Sequence, residues 1–234
     1  MVSKLRDRIR RLGRREAGPM GFAPAVAAKQ PGMLLILRLP AKGAVEPALE
    51  GGADAVLVDA GGRSVTKQPP DLLLGLDVRG AADDVNLEGA DFIVADGAAP
   101  SAVLANEGRG LVLAVDEAWP DALLRASETL APDALFVELG AQPTLQRILE
   151  LRRVALVGGA PLLLGIAGSI DPPILRVLRD AGVVGLVVDS KGASAMPQLR
   201  ETINSMPPRR RPNEADSPLL PHVEVAHEHE DEMD

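Results

Sequence analysis

Eight short aliphatic runs punctuate this chain, their starts about 21 residues apart on average. They read MLLILRLP (33–40), DAVLVDA (54–60), LLLGLDV (72–78), DFIVADG (91–97), GLVLAVD (110–116), DALFVELG (133–140), PLLLGIAG (161–168) and GVVGLVVDS (182–190). Runs this uniformly apolar suit strands buried on both faces, as in a parallel sheet. Between most of them lies a stretch of helical length: AVEPALEGG, ADDVNLEGA, SAVLANEG, AWPDALLRASETL, TLQRILELRRVALVG, PPILRVLRDAG and SAMPQLRETINSM. Strand–helix alternation repeated eight times predicts an α/β fold, a (β/α)8 TIM-type barrel. The spacing is shorter than the ~30 residues per unit of a typical barrel. The link GGRSVTKQPP, between runs two and three, is too rich in Gly and Pro for a good helix. A short barrel, irregular between strands two and three, is therefore expected. An open doubly wound sheet is the alternative, disfavoured because there is no Gly-rich dinucleotide loop.

The domain organisation follows from what flanks the runs. Residues 1–31 form a basic arm and a connector, residues 32–206 the barrel, and residues 207–234 an acidic tail expected to be disordered. In the arm, Val2, Leu5, Ile9 and Leu12 recur at helical spacing before Gly13, and Pro19, Pro24 and Pro31 mark an extended connector. The net charge of −8 conceals opposite ends of opposite sign. Residues 1–16 hold seven Lys and Arg against Asp7 and Glu16, whereas residues 212–234 hold eight acids and no Lys or Arg. Such an arm could lie on an anionic membrane, touch RNA, or dock on an acidic partner; pairing with the tail, within or between subunits, is the plain alternative. With no aromatic anchor or stacking residue in residues 1–16, protein docking or self-association is favoured, and no DNA partner is expected.

Several chemistries are excluded by composition. There is no Cys, hence no disulfide, thiolate nucleophile or Cys-based metal site. His222, His227 and His229 all lie in the tail, so the barrel lacks an imidazole for a Ser–His dyad or catalytic zinc. Aromatic residues are 2% of the chain, too few for a stacking surface, and no run reaches the ~18 apolar residues of a membrane span. A cytoplasmic location is expected.

In a barrel, function sits where the strands end. Here those ends are acidic: Asp59, Asp77, Asp96, Asp116 with Glu117, Glu138 and Asp189, while strand one ends near Arg38 with Lys42 beyond. Residues two apart share a face of a strand. If the acids face the mouth, Leu57, Gly75, Val94, Ala114, Phe136 and Val187 fill the layer beneath. Converging carboxylates with Arg38 as counter-charge could hold Mg²⁺ or act as general acid and base. The plainer reading is that each Asp caps or turns the chain by accepting backbone N–H bonds. Gly-Ala-Asp-like turns, at 52–54, 89–91, 131–133 and 181–183, precede strands and belong to the opposite, stabilising face.

Strand seven exits through Gly165-Ile166-Ala167-Gly168-Ser169-Ile170-Asp171-Pro172. A Gly and a Ser before a helix can offer N–H groups to a phosphate, and barrels often place one between strands seven and eight. On the run LLLGIAGSIDPPILRVLRDAGVVGL, about thirty residues, the chain resembles the phosphate-binding (β/α)8 barrels, and more narrowly (5-formylfuran-3-yl)methyl phosphate synthase and related lyases; EGGADAVLVD adds a generic likeness. That resemblance implies a phosphorylated small-molecule substrate, with Gly168 and Ser169 as phosphate ligands. The family's strand-end Lys chemistry does not carry over, because Asp59 stands where a strand-two Lys is expected. Strand eight ends Val188-Asp189-Ser190-Lys191-Gly192 in place of a Gly-rich grip, with Lys191 available to offset Asp189.

Two functions follow. The first is an enzyme acting on a phosphorylated metabolite as a lyase, aldolase or isomerase. In it Gly168 and Ser169 hold phosphate, Lys191 or Arg38 balances charge, and Asp59, Asp96 or Glu138 moves protons. The second is a catalytically silent barrel serving as an adaptor through its charged ends. Acids close together around an open pocket favour the first; acids bonded to neighbouring N–H groups favour the second.

Overall fold

The computed structural model describes residues 3–12, 32–40, 45–60, 69–80, 85–105, 108–116, 118–140 and 142–207. Its centre is a closed barrel of eight parallel strands in sequence order. These are β1 (Leu34–Leu39), β2 (Ala55–Asp59), β3 (Leu73–Asp77), β4 (Phe92–Ala95), β5 (Gly110–Ala114), β6 (Ala134–Glu138), β7 (Leu162–Ile166) and β8 (Val183–Asp189). Each falls inside its aliphatic run, and β8 pairs back onto β1 to close the ring. The fold is the (β/α)8 TIM-type barrel that the alternation predicts.

The interior obeys the two-residue parity. Leu57, Val94, Phe136 and Val187 belong to the inner cluster, and Ala114 packs against it. Gly75 and Gly110 make room for the buried Phe92; a Cβ on Gly110 would lie 2.9 Å from the Phe92 Cβ. A register shift beside Leu162 and Leu163 inserts one extra residue into β8. Beyond it, Gly185 and Val187 pair with Leu163 and Gly165, which brings Asp189 opposite Arg38 at the top. The outward residues of all eight strands join a second, larger apolar cluster under the helices.

Helical cover is uneven. It comes from α2 (Glu46–Glu50), α3 (Asp121–Ser127), α4 (Leu145–Val157), α5 (Pro172–Asp180) and α6 (Met196–Ser205). Two expected helices are absent among the described residues. Within ADDVNLEGA, residues 85–91 are irregular, because the Asn86 side chain accepts the Glu88 N–H and turns the chain. SAVLANEG forms only a 3-10 turn, Ser101–Ala105. Of the Gly/Pro-rich link after β2, residues 61–68 lie outside the described residues, while Pro69 and Pro70 are non-helical as expected. No described helix is long and apolar enough to cross a membrane.

The basic arm closes the bottom of the barrel. Helix α1 (Lys4–Arg11) is capped by Ser3, whose hydroxyl accepts the Arg6 N–H at 3.0 Å. Leu5 is fully buried and belongs to the inner cluster, with Ile9 and Leu12 packed against it. The polar face meets acids of the turns that precede strands: Lys4 pairs with Asp91 at 2.7 Å, and Arg6 with Asp133 at 2.7 Å. Ser3 also donates to the Asp133 carboxylate, and Arg8 reaches the Asp71 carbonyl. The third such acid, Asp54, accepts the Leu35 N–H and pairs with Arg200 of α6. Where the charge pattern suggests docking on a partner, a membrane or the tail, the arm's first helix binds the barrel's own underside, leaving Arg10 and Arg11 exposed. Gly13, the connector and the tail with its three His lie outside the described residues.

Candidate functional site

Strand register decides which side chains meet at the top. Arg38 is the Cα partner of Asp189, Asp59 of Asp77, and Glu138 of Gly165. Arg38 bonds Glu138 at 2.8 Å and Asp189 at 3.2 Å. Arg79, just past the end of β3, bonds Asp77 at 2.6 Å and reaches the same Glu138 oxygen at 3.5 Å. One carboxylate thus spans two guanidiniums. Both stack over the Phe136 ring, with guanidinium carbons 5.3 Å (Arg38) and 4.8 Å (Arg79) from its centroid. The hydrogen bond that the Arg79 guanidinium donates to Asp77 raises the Arg79 pKa above its ordinary value against the opposing effect of burial.

This bridge divides the mouth into recesses. A cleft of about 690 Å³ is bounded by Arg79, Asp96, Asp116, Trp119, Glu138 and Arg147. A recess of about 320 Å³ lies beside it, among Arg38, Asp59, Asp77, Asp189 and Lys191. A third, about 170 Å³, is formed by Gly140, Gln142, Ala167, Gly168 and Ser169. Gly140 walls both the cleft and this third recess. The expected residues therefore fall into three adjoining groups: Arg38 with Asp59 and Lys191, Asp96 with Glu138, and Gly168 with Ser169.

Asp59, Asp77 and Asp189 border one recess and Asp96, Asp116 and Glu138 the cleft, each set with an Arg among it. Asp77, Asp96 and Asp116 each use one oxygen to accept the N–H two residues on, from Arg79, Ala98 and Ala118, which shapes the turn after each strand. Among the described residues no three carboxylates or imidazoles gather as a metal site. The rim alternates acid with Arg, an arrangement that holds cationic side chains in place and leaves Mg²⁺ without a built site among the described residues. Glu117 and Lys42 lie outside those residues.

The strand-seven exit differs from the helix N-terminus expected there. Asp171 is the N-cap of α5 without a side-chain cap bond, and Pro172 and Pro173 occupy its first positions. Neither proline has an N–H, so anion donors must come from the Gly168–Ser169 loop rather than from the helix start. The turn after β8 backs this loop: a Cβ on Gly192 would lie 2.9 Å from the Ala167 carbonyl oxygen. Among the described residues the Ser169 hydroxyl and the Lys191 ammonium have no protein partner.

Three rim residues escape the sequence argument: Arg79, Trp119 and Arg147. Arg79 shares the parity of Gly75 and Asp77, so counting one step past the acid would find it. Arg147 sits in the first turn of α4, whose N-cap Thr144 accepts its N–H, and its guanidinium donates to the Glu138 carbonyl at 2.7 Å.

No protein-family model matches this chain, and no curated protein matches it by sequence. Solved structures do match in shape. One is 3-keto-L-gulonate-6-phosphate decarboxylase from Vibrio cholerae, with 18% identity and a TM-score of 0.57, covering 74% of this chain and 97% of that one. Another is tryptophan synthase from M. tuberculosis, with 14% identity and a TM-score of 0.54, covering 87% and 97%. Thiamine phosphate pyrophosphorylase from Pyrococcus furiosus matches at 17% identity and a TM-score of 0.50, covering 73% and 95%. At these identities the likeness is one of fold: this chain shares the barrel on which those enzymes are built.

Proposed function

We propose that this barrel is an enzyme of the lyase, aldolase or isomerase type acting on a phosphorylated small metabolite. The observation that carries the reading is the common wall at Gly140, which joins the Gly168–Ser169 recess to the larger cleft. A ligand with a phosphate at one end fits that shape. Its phosphate would lie on Gly168 and Ser169, whose hydroxyl is free to donate, and its reactive end would lie in the cleft. Lys191 supplies an uncommitted positive charge nearby, while Arg38 is held by Glu138 and Asp189. The phosphate esters named in two of the similar barrels agree with this substrate class.

Of the three candidate proton carriers, Asp96 suits the task best. It lines the cleft and uses one oxygen to accept the Ala98 N–H at 3.0 Å; among the described residues its other oxygen carries no protein bond. Glu138 is tied to two cations and serves to position them. Arg79 is then aimed at negative charge developing on a substrate oxygen, the role of a fixed cation beside a reacting group. Asp59 lies across the bridge in the other recess.

The test is a thermal-shift series on the full chain with inorganic phosphate and triose phosphates, each with and without Mg²⁺. A ligand at a hundred times its dissociation constant adds ~2.7 kcal/mol of stability. A ligand-specific rise that Ser169→Asp removes supports the reading and directs the search to lyase and isomerase assays with Asp96→Asn as control. Absence of any shift with these anions sinks the phosphate site.

A further inference from the structure

Away from the mouth, a notch of about 280 Å³ opens low on the side of the barrel between β4 and β5. Its origin is the helix that fails to form after β4. A barrel unit ordinarily covers this position with an α-helix; here a single 3-10 turn, Ser101–Ala105, stands in for it. The outward faces of Ile93 and Leu111 form the back of the notch, and Leu104 and Leu130 form its sides. Leu104 is 48% exposed and Leu130 43%, an apolar lining left open to water.

The floor is polar and positive. Arg6, Arg109 and Asp133 border it. Each oxygen of the Asp133 carboxylate is engaged, one by Ser3 and the other by Arg6, and Arg6 also donates to the Ala131 carbonyl at 2.6 Å. Arg6 and Asp133 therefore cancel. Arg109 is half-buried and, among the described residues, has neither an ion pair nor a hydrogen bond. The start of α1 at Ser3 adds its partial positive charge to the same floor.

We propose that this notch is a second ligand site, taking a small amphipathic carboxylate whose charged head meets Arg109 and whose aliphatic tail covers Leu104, Leu111 and Leu130. Apolar walls over one uncommitted guanidinium are the chemistry of such a ligand. Because Ser3 and Arg6 border the notch, occupancy steadies α1 on the underside of the barrel. The site is independent of the phosphate reading at the mouth.

Isothermal titration of the full-length protein with hexanoate, and with hexanol as the uncharged counterpart, tests it. The expected result is saturable one-site binding of hexanoate, weakened about tenfold or more in Arg109→Gln, as loss of a charge-assisted bond requires. Hexanol affinity should be unchanged by that variant, Leu104→Asp should weaken both ligands, and Ser169→Asp should weaken neither. Hydrogen exchange of the α1 amides should slow when hexanoate is bound. A folded protein that binds no hexanoate saturably, or binds it equally well in Arg109→Gln, overturns the proposal.

Discussion

Glu138 and Gly165 face each other across the β6–β7 ladder, and the missing glycine side chain is the space in which the glutamate carboxylate lies. A Cβ on Gly165 would overlap a Glu138 carboxylate oxygen and stand 2.9 Å from the Phe136 ring. The bridge between Arg38 and Arg79 thus depends on an atom that is absent from a neighbouring strand.

Gly165→Ala should therefore disturb the mouth more than its size suggests. Overpacking beside a buried aromatic costs ~1–3 kcal/mol, read as a lower urea midpoint with an unchanged slope. Wild-type stability in this variant would mean that Glu138 turns outward at no cost.

Glu138→Gln removes the charge shared by two guanidiniums while keeping the side chain's volume. Glu138 is half exposed, so the stability change should be small. Affinity for inorganic phosphate at the mouth should instead rise, because Arg38 and Arg79 lose a competing anion. Titrations at low and high salt check this; the gain should shrink as salt screens the site.

At the bottom, two ion pairs of similar length should differ greatly in worth. Asp133 is buried and serves both Ser3 and Arg6, so Asp133→Asn should cost ~1.5–3 kcal/mol and speed hydrogen exchange throughout α1. Lys4 is 73% exposed, and Lys4→Ala should change stability little. Equal effects would refute the view that burial decides between them.

Ala131 carries a left-handed backbone (φ 48°) where the comparable turns use Gly52 and Gly89. Relief of that strain by Ala131→Gly should stabilise the protein by up to ~1 kcal/mol, visible as a higher melting temperature. A loss would show that the Ala131 methyl packs in a way that outweighs its backbone cost.

The strands were legible because burial on both faces leaves an unbroken aliphatic signature, as in residues 162–166 and 183–189. Parity then identified the layer under the mouth, including Phe136. Segment length is a weaker guide to the helices: it does not reveal that Asn86 competes for a backbone N–H within residues 85–91, or that residues 101–105 form a 3-10 turn. The acids at the strand ends could be located but not assigned, since the role of Glu138 depends on Arg38 and Arg79 reaching it from other strands. Likewise the sign of the basic arm was plain, whereas its partners Asp91 and Asp133 lie 87 and 127 positions away from Lys4 and Arg6.

Those separations set an order of assembly. Helix α1 precedes every other described element, yet its ion pairs reach as far along the chain as Asp133, and the ring itself closes only when β8 reaches β1. On a ribosome the plug is made before the barrel and seated late, leaving a cationic helix and an open sheet edge waiting while the strands are made. Non-local closure of this kind slows folding and lengthens the time in which the unpaired edge can find another chain. For this barrel, translation speed and chaperone supply should govern yield more than the stability of the finished protein.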